Sequence, residues 1–380
     1  MRTKLFYVVA ITIALSILTA LHAYLWSRLV AQPLWSPPLA AAMTGLIVAL
    51  AISVPLSFVG ERLAPPPLGR ALVWPGALWM GFAWMLFAMF VLSDLALGLP
   101  GLLADPLTAR VRALVVVALA VVGTLVGLRS ALRVPAVKFV TVALARWPAA
   151  LDGYRFAQIS DLHVGPLLTG KWLEKVVTRV NAVGADCVIV TGDLVDGPAK
   201  HFAKELEPFK GLVARDGAWA ITGNHELYSG PHAWMPVFES VGLSVLGNRR
   251  VALGRGTGGY DLVGTHDKQG AMMGIPEDLE KALAGRDEAR PAVLLAHTPT
   301  TFDDAAKRGV DLTISGHTHG GQIWPFNFLV RLAMRYVAGL YRKGASQLYV
   351  SRGTGFWGPP MRLFAPSEIT EITIRSAGAV

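Results

Sequence analysis

The chain has 380 residues, is 53% hydrophobic, and carries 35 Lys+Arg against 26 Asp+Glu, a formal net charge of +9. Only 16% of it is charged, where a soluble domain carries about a quarter, so it does not read as a wholly soluble chain, and its positive balance suits anionic lipid headgroups as partners. One cysteine excludes an intrachain disulfide framework, and dispersed basic residues without a stacking-aromatic motif exclude an expectation of nucleic acid.

The charge deficit lies in the first third. Leu5–Leu25, Leu39–Val59 and Ala71–Leu92 are each long enough for a hydrocarbon core that needs about 20 apolar residues. A fourth run, Ala113–Leu128, is short and must borrow Val111 and a snorkelling Arg112. The first run follows Arg2 and Lys4 but is too long for a cleavable signal peptide, and further runs follow, so it reads as a retained anchor. Trp35, Trp74, Trp79 and Trp84 read as belt or packing aromatics, and His22 and Asp94 as interfacial groups. No paired intramembrane charges stand out, which argues against a transporter.

In a four-span arrangement, Arg2, Lys4, Arg62, Arg70, Arg129, Arg133, Lys138 and Arg146 fall on one side and Arg28, Arg110 and Arg112 on the other. The positive-inside rule then puts the amino terminus and everything after Leu128 in the cytoplasm, on a multi-pass protein of the inner (plasma) membrane. If the fourth run does not span, this sidedness reverses.

From about Ala131 the texture changes. The expected organisation is a transmembrane region of about four helices over 1–130, a linker and leading strand over 131–153 that includes "VKFVTVAL", and one globular domain over 154–380. Strands are expected at Arg155–Ile159, Cys187–Thr191, Ala218–Ile221, Tyr260–Gly264, Val293–Ala296 and Leu312–Ser315, and helices at Lys171–Ala182, Ile275–Ala284 and Thr300–Arg308. That alternation implies an α/β fold with helices outside sheets. Cys187, inside "DCVIVTGD", reads as a buried strand thiol.

Polar residues follow these strands at their ends. Asp161 and His163 come after the first, Asp193 after the second, Asn224 and His225 after the third, His297 after a later one, and His317 and His319 after the next. Strand ends in layered sheets converge on one edge, so residues spread over the domain can share a pocket. Asp161, His163, Asp193, Asn224, His297, His317 and His319 offer oxygen and imidazole donors without a thiolate, a set that suits Mn, Fe or Zn. Seven donors are too many for one ion and enough for two that share a carboxylate. Two divalent or trivalent ions about 4 Å apart can hold both oxygens of an in-line displacement at phosphorus and activate water at neutral pH. Taken singly, each group has a plainer reading. "SDLH" can be an Asp-turn, "TGD" and "TGN" can be strand-to-helix turns with Asp193 or Asn224 as a cap, and His297 can be a hydrogen-bonded core histidine. All five blocks in this order are hard to reconcile with coincidence.

The series "SDLH…TGDLVDG…GNHE…H…GHTH" resembles the calcineurin-like metallophosphoesterases, from about Tyr154 to the end of the chain. The resemblance implies a four-layer α-β-β-α sandwich of two mixed sheets with a dimetal site at one edge, preceded here by the transmembrane helices. It implies that Asp161, His163 and His319 hold one metal, that Asn224, His297 and His317 hold the other, and that Asp193 bridges them. It implies that His225 protonates the leaving oxygen while Asp196 orients it, which is general acid catalysis by a carboxylate-tuned imidazole. Family members that act on phosphoproteins carry an arginine straight after that aspartate. Gly197 stands there instead, so a serine/threonine protein phosphatase is not expected, and Glu226, whose arginine partner is missing, receives no catalytic role.

The tail resembles a membrane-anchored branch that includes enzymes hydrolysing UDP-2,3-diacylglucosamine. Within Phe328–Tyr341, Leu329, Leu332, Val337 and Leu340 sit among Arg331, Arg335 and Arg342, as either a bilayer-lying helix or one packed on the core. Arg352 and Arg362 read as phosphate-gripping or as exposed structural arginines. The expected function is a metal-dependent phosphoric ester hydrolase acting on a phosphodiester, phosphomonoester, pyrophosphate or lipid-linked phosphate. The alternatives are a catalytically silent scaffold and a regulatory membrane protein.

Overall fold

The computed structural model describes residues 2–102, 105–255 and 258–377. The chain divides into two compact units, Met1–Leu128 with Gly358–Pro360, and Arg129–Trp357 with Met361–Val380.

The first unit is built from α1 (Arg2–Trp26), prolonged by a π turn over Ser27–Ala31, and from α2 (Pro37–Leu63), α3 (Pro66–Leu102) and α4 (Pro106–Leu132). Proline opens α2, α3 and α4, where its missing N–H is not needed and its fixed φ suits the first turn. The helices are apolar all round, with Ile11, Ile17, Leu46, Ile52, Leu114 and Leu125 each more than half exposed, a surface that water penalises and a hydrocarbon layer does not. Stretches of 24, 27, 32 and 27 residues are long and apolar enough to cross a membrane. The fourth exceeds Ala113–Leu128 because Asp105 caps it, its Oδ1 accepting from Leu107 N at 2.9 Å and Thr108 N at 3.2 Å.

One expectation for this unit fails. Asp94 is not isolated: it pairs with Arg28 at 2.8 Å and Arg112 at 2.9 Å and accepts from the Tyr24 hydroxyl at 2.5 Å. The partners come from α1 with its π turn and from α4, both far from Asp94 in sequence, so no local pattern announces them.

Among the described residues the second unit contains twelve strands: β1 (Ala136–Leu144), β2 (Tyr154–Ile159), β3 (Cys187–Thr191), β4 (Ala218–Ile221), β5 (Leu243–Val245), β6 (Arg249–Arg255), β7 (Gly258–Gly264), β8 (Ala292–Leu295), β9 (Leu312–Ser315), β10 (Gly339–Lys343), β11 (Ser346–Val350) and β12 (Glu368–Ser376). They form two six-stranded mixed sheets, ordered β1-β12-β2-β3-β4-β5 and β10-β11-β9-β8-β7-β6. The helices are α5 (Gly170–Val183), α6 (Ala199–Phe202), α7 (Asn224–Ser229), α8 (Pro231–Ser240), α9 (Leu279–Leu283), α10 (Phe302–Lys307) and α11 (Phe326–Ala333).

Strand alternation sets the layers. On β3, Cys187 and Ile189 join Phe156, Tyr260, Leu262, Val293, Leu312 and Ile314 between the sheets. Val188 and Val190 point the other way, onto Leu173, Val176 and Val180 of α5. On the second sheet, Val263 and Leu294 face Leu279, Leu283 and Ala305 of α9 and α10. Strands covered on both faces read as unbroken apolar runs, which is why β3 and β8 carry no polar alternation. The result is the expected four-layer sandwich. Burial also raises the Cys187 thiol, consistent with an inert strand residue.

Some helices are shorter than their patterns. Asp278 caps α9 by accepting from Lys281 N at 2.8 Å, so that helix starts at Leu279 rather than Ile275. A 3-10 turn over Pro299–Thr301 precedes α10. The helix expected over Phe328–Tyr341 ends at Ala333, where Met334 turns extended (φ −124°, ψ 127°) toward β10, which takes Tyr341.

Candidate metal centre

β2, β3 and β4 run parallel in one sheet, and β8 and β9 run parallel in the other. Their carboxyl ends therefore lie on one edge of each sheet, and the segments leaving them carry all seven expected donors, Asn224 as the first residue of α7. The loops turn sharply. Asp161, His163, Asp193, His317 and His319 all have left-handed backbone, with φ between 49° and 73°, a conformation that costs non-glycine residues on the order of 1–3 kcal/mol each and gathers at functional sites. Close approach also constrains the glycines, since a Cβ on Gly192 would lie 2.6 Å from His297 Nδ1.

Two groups of donors form. In one, His163 Nε2 lies 3.1 Å from His319 Nε2, and His319 Nε2 lies 3.5 Å from Asp161 Oδ1. In the other, His297 Nε2 is 3.1 Å from Asp193 Oδ2, 3.2 Å from Asn224 Oδ1 and 3.2 Å from His317 Nδ1. Asp193 Oδ2 also stands 3.9 Å from His163 Nε2, between the groups. Three-residue sets able to hold a cation are Asp161, His163 and His319; Asp193, His297 and His317; and His163, Asp193 and His225.

The donor chemistry fits cations. His297 Nδ1 lies 2.8 Å from the Thr191 carbonyl, and His163 Nδ1 lies 3.0 Å from Asp196 Oδ1. Each ring thus directs its N–H outward and turns Nε2 toward other acceptors, the usual posture of a ligating histidine. Asp161 Oδ2 is buried with no hydrogen-bond partner, and such an acceptor is costly unless something positive meets it. Burial opposes ionisation of Asp193, yet His297, His225 and His163 hold it well below the usual carboxylate range. Burial likewise disfavours charge on His297, but Asp193 raises it well above the ordinary imidazole value. Both directions favour a positive charge between those two residues, which a proton or a metal ion can supply. His319 goes the other way, held well below the usual value by burial and the Arg362 guanidinium.

Asp196 Oδ1 also lies 2.6 Å from His225 Nδ1. Burial lowers the His225 imidazole, but Asp193 and Asp196 outweigh it and push it up to about 10. Above that ring, Trp357 stands 46% exposed with its centroid 5.7 Å away, its backbone gripped by Gln322 through Trp357 N to Oε1 at 3.1 Å and Nε2 to Trp357 O at 2.8 Å.

Two residues beside the donors have structural roles. Glu226, given no catalytic role, is fully buried and accepts from four backbone N–H groups: Gly223 at 2.6 Å, Leu194 at 2.7 Å, Asp193 at 2.9 Å and Val195 at 3.2 Å. It ties the loops after β3 and β4 together. Burial and Asp193 push its carboxyl up to about 7 against the pull of those N–H groups. Its place three residues into a helix after glycine is a capping-box signal that was available. Arg362, a candidate phosphate grip, is 1% exposed and donates to the carbonyls of Gly355, Arg352 and His319 and to His319 Nδ1 at 2.9 Å. It encloses the His319 ring and has no free edge for phosphate.

A match to the calcineurin-like phosphoesterases covers residues 154–321. The chain is 39% identical over 219 residues to an uncharacterised metallophosphoesterase of Helicobacter pylori, across 57% of this chain and 58% of that relative's length. It is 34% identical over 261 residues to a Danio rerio transmembrane protein with metallophosphoesterase domain, across 66% of this chain and 60% of the relative. It is 30% identical over 243 residues to an uncharacterised metallophosphoesterase of Bacillus subtilis, across 62% of this chain and 84% of the relative. Matched along the segment whose strand ends carry the donors, and along most of the Bacillus protein, the chain belongs to the calcineurin-like phosphoesterase family.

Proposed function

We propose that this chain is a membrane-anchored, metal-dependent phosphoric ester hydrolase. The observation that carries it is Asp193 Oδ2 standing between two imidazole-carboxylate groups, with the Asp196–His225 pair alongside. In this reading Asp161, His163 and His319 hold one ion, Asn224, His297 and His317 the other, and Asp193 both, with Mn, Fe or Zn suited to the donors. Such ions supply charge neutralisation at phosphate and activation of water. Asp196 fixes the His225 ring through Nδ1, leaving Nε2 to donate a proton to the leaving oxygen. Glu226 and Arg362 hold the loops and the His319 ring in place.

The anchor is the set of four apolar helices, in the inner membrane, with the phosphoesterase unit on the cytoplasmic side. A lipid-linked phosphate or pyrophosphate, with UDP-2,3-diacylglucosamine as the specific candidate, is the finer proposal, supported by the exposed Trp357 next to His225. The test is hydrolysis of bis-p-nitrophenyl phosphate by detergent-purified protein with Mn²⁺, followed by a screen that includes UDP-acylglucosamines. Turnover is expected to vanish on chelation and return with metal. Turnover indifferent to chelation would sink the proposal.

A further inference from the structure

Helix α11 is inside out for a helix in water. Its buried residue is the polar Asn327, whereas Phe328, Leu329 and Leu332 project outward at 53%, 49% and 85% exposure. Phe326 and Leu340 add 45% and 46%, and Phe364, edge-on to Trp324 at 6.5 Å, adds 76%. An amphipathic helix of a soluble domain buries its apolar face, and an exposed apolar cluster of this kind marks an interaction surface. The segment is also basic: Arg331, Arg335 and Arg342 are exposed, and Arg335, which approaches Asp303 at 3.8 Å and the Tyr336 ring at 5.3 Å, keeps 71% of its side chain accessible.

We infer that α11, with Phe364, is a membrane-docking surface whose apolar face enters the interfacial layer of an anionic phospholipid bilayer while the arginines meet lipid phosphates. Apolar residues flanked by arginine match a headgroup boundary in both hydrophobicity and charge. The same chain supplies four helices able to cross a bilayer, so such a surface is at hand. A second copy of the chain fits less well, because pairing this face with itself sets arginine against arginine. Gly321, one residue past the His319–Gly320 turn, packs against Asn327, so the docked helix adjoins the donor loop. The inference rests on the spanning reading of the first unit and is independent of the phosphoesterase reading.

The test uses the full chain in nanodiscs of phosphatidylcholine and phosphatidylglycerol. Cys187, the single native cysteine, is fully buried, so Leu332→Cys and, separately, Phe364→Cys can be labelled with a bimane fluorophore, with Val213→Cys, 72% exposed, as reference. Shallow doxyl-lipid is expected to quench the labels at 332 and 364 at least twofold more than the label at 213, while aqueous iodide quenches them less. Arg331→Glu with Arg335→Glu should reduce the lipid quenching. Iodide quenching without lipid quenching at both positions means that the face sits in water. Shielding from both quenchers means that protein covers it. Either result overturns the inference, and neither depends on turnover.

Discussion

Asp196 Oδ1 lies 2.6 Å from His225 Nδ1, and the same oxygen lies 3.0 Å from Nδ1 of His163. One carboxylate oxygen thus sets the ring orientation of both the proposed proton donor and a proposed metal ligand. The two roles separate by mutation. His225→Ala should retain metal and lose about 10²–10⁴-fold in turnover, the range of a general acid. Asp196→Asn should lose turnover and also weaken metal affinity by about 10–100-fold, as loss of a histidine's supporting partner does. Metal content by mass spectrometry beside kcat decides the matter; equal metal affinity in the two variants refutes the shared role.

Asp193 is the junction of the two donor groups. Asp193→Ala should therefore release metal from both and abolish turnover in one step, whereas Asn224→Ala should thin only the group around His297. A stoichiometric metal titration distinguishes these outcomes. Retention of a full metal complement by Asp193→Ala contradicts the arrangement.

Glu226 accepts four backbone N–H bonds without exposure to solvent. Glu226→Gln turns an NH₂ group toward donors and leaves at least one unmet, a loss of about 1–3 kcal/mol. A fall in Tm together with weaker metal binding is expected, since the loop after β3 carries Asp193. An unchanged Tm would show that the loops hold without it.

Between the sheets, the Tyr260 hydroxyl donates to the Tyr154 hydroxyl at 2.9 Å, which donates to Asp216 Oδ2 at 2.7 Å. Tyr154→Phe strands the buried Tyr260 donor and should cost about 1–3 kcal/mol. Tyr154→Phe with Tyr260→Phe should cost less than the sum of the singles, because no donor is then left unmet. Denaturant midpoints of the four proteins give the cycle, and strict additivity counts against the relay.

Asp216 also gives a pH signature. Burial alone would lift its carboxyl, but Arg215 and Tyr154 outweigh it and hold it below 3.8. A depressed folded value adds stability above the unfolded one and loses it as pH falls through the folded one. Asp216→Asn should lower Tm at neutral pH and flatten its decline below pH 3.8. Parallel acid melting curves for the two proteins would falsify this assignment.

The convergence of the expected donors was legible because the pattern is local: each follows a short apolar strand, and parallel strands deliver their carboxyl ends to one edge. The strands β2, β3, β4, β8 and β9 show the same locality. What escaped depends on distant partners. β12 pairs with β1 in parallel, Ala136 opposite Glu368, and with β2 on its other side, a relation across more than two hundred residues that no window reveals. Whether Arg362 grips phosphate or holds structure stayed open because the carbonyls that enclose it come from separate loops. Glu226 was read by the missing arginine rather than by the backbone it gathers. The inversion of α11 lies in its facing, which composition alone does not fix.

The position of β12 bears on how the protein is made. Glu368–Ser376 leaves the ribosome after every other strand, yet it belongs between β1 and β2. Until it arrives, β2 offers a bare row of peptide groups to any extended segment nearby, and β1 has no neighbour to pair with. The first sheet can therefore close only after translation has passed Ser376, at a stage when the apolar helices have long since been synthesised.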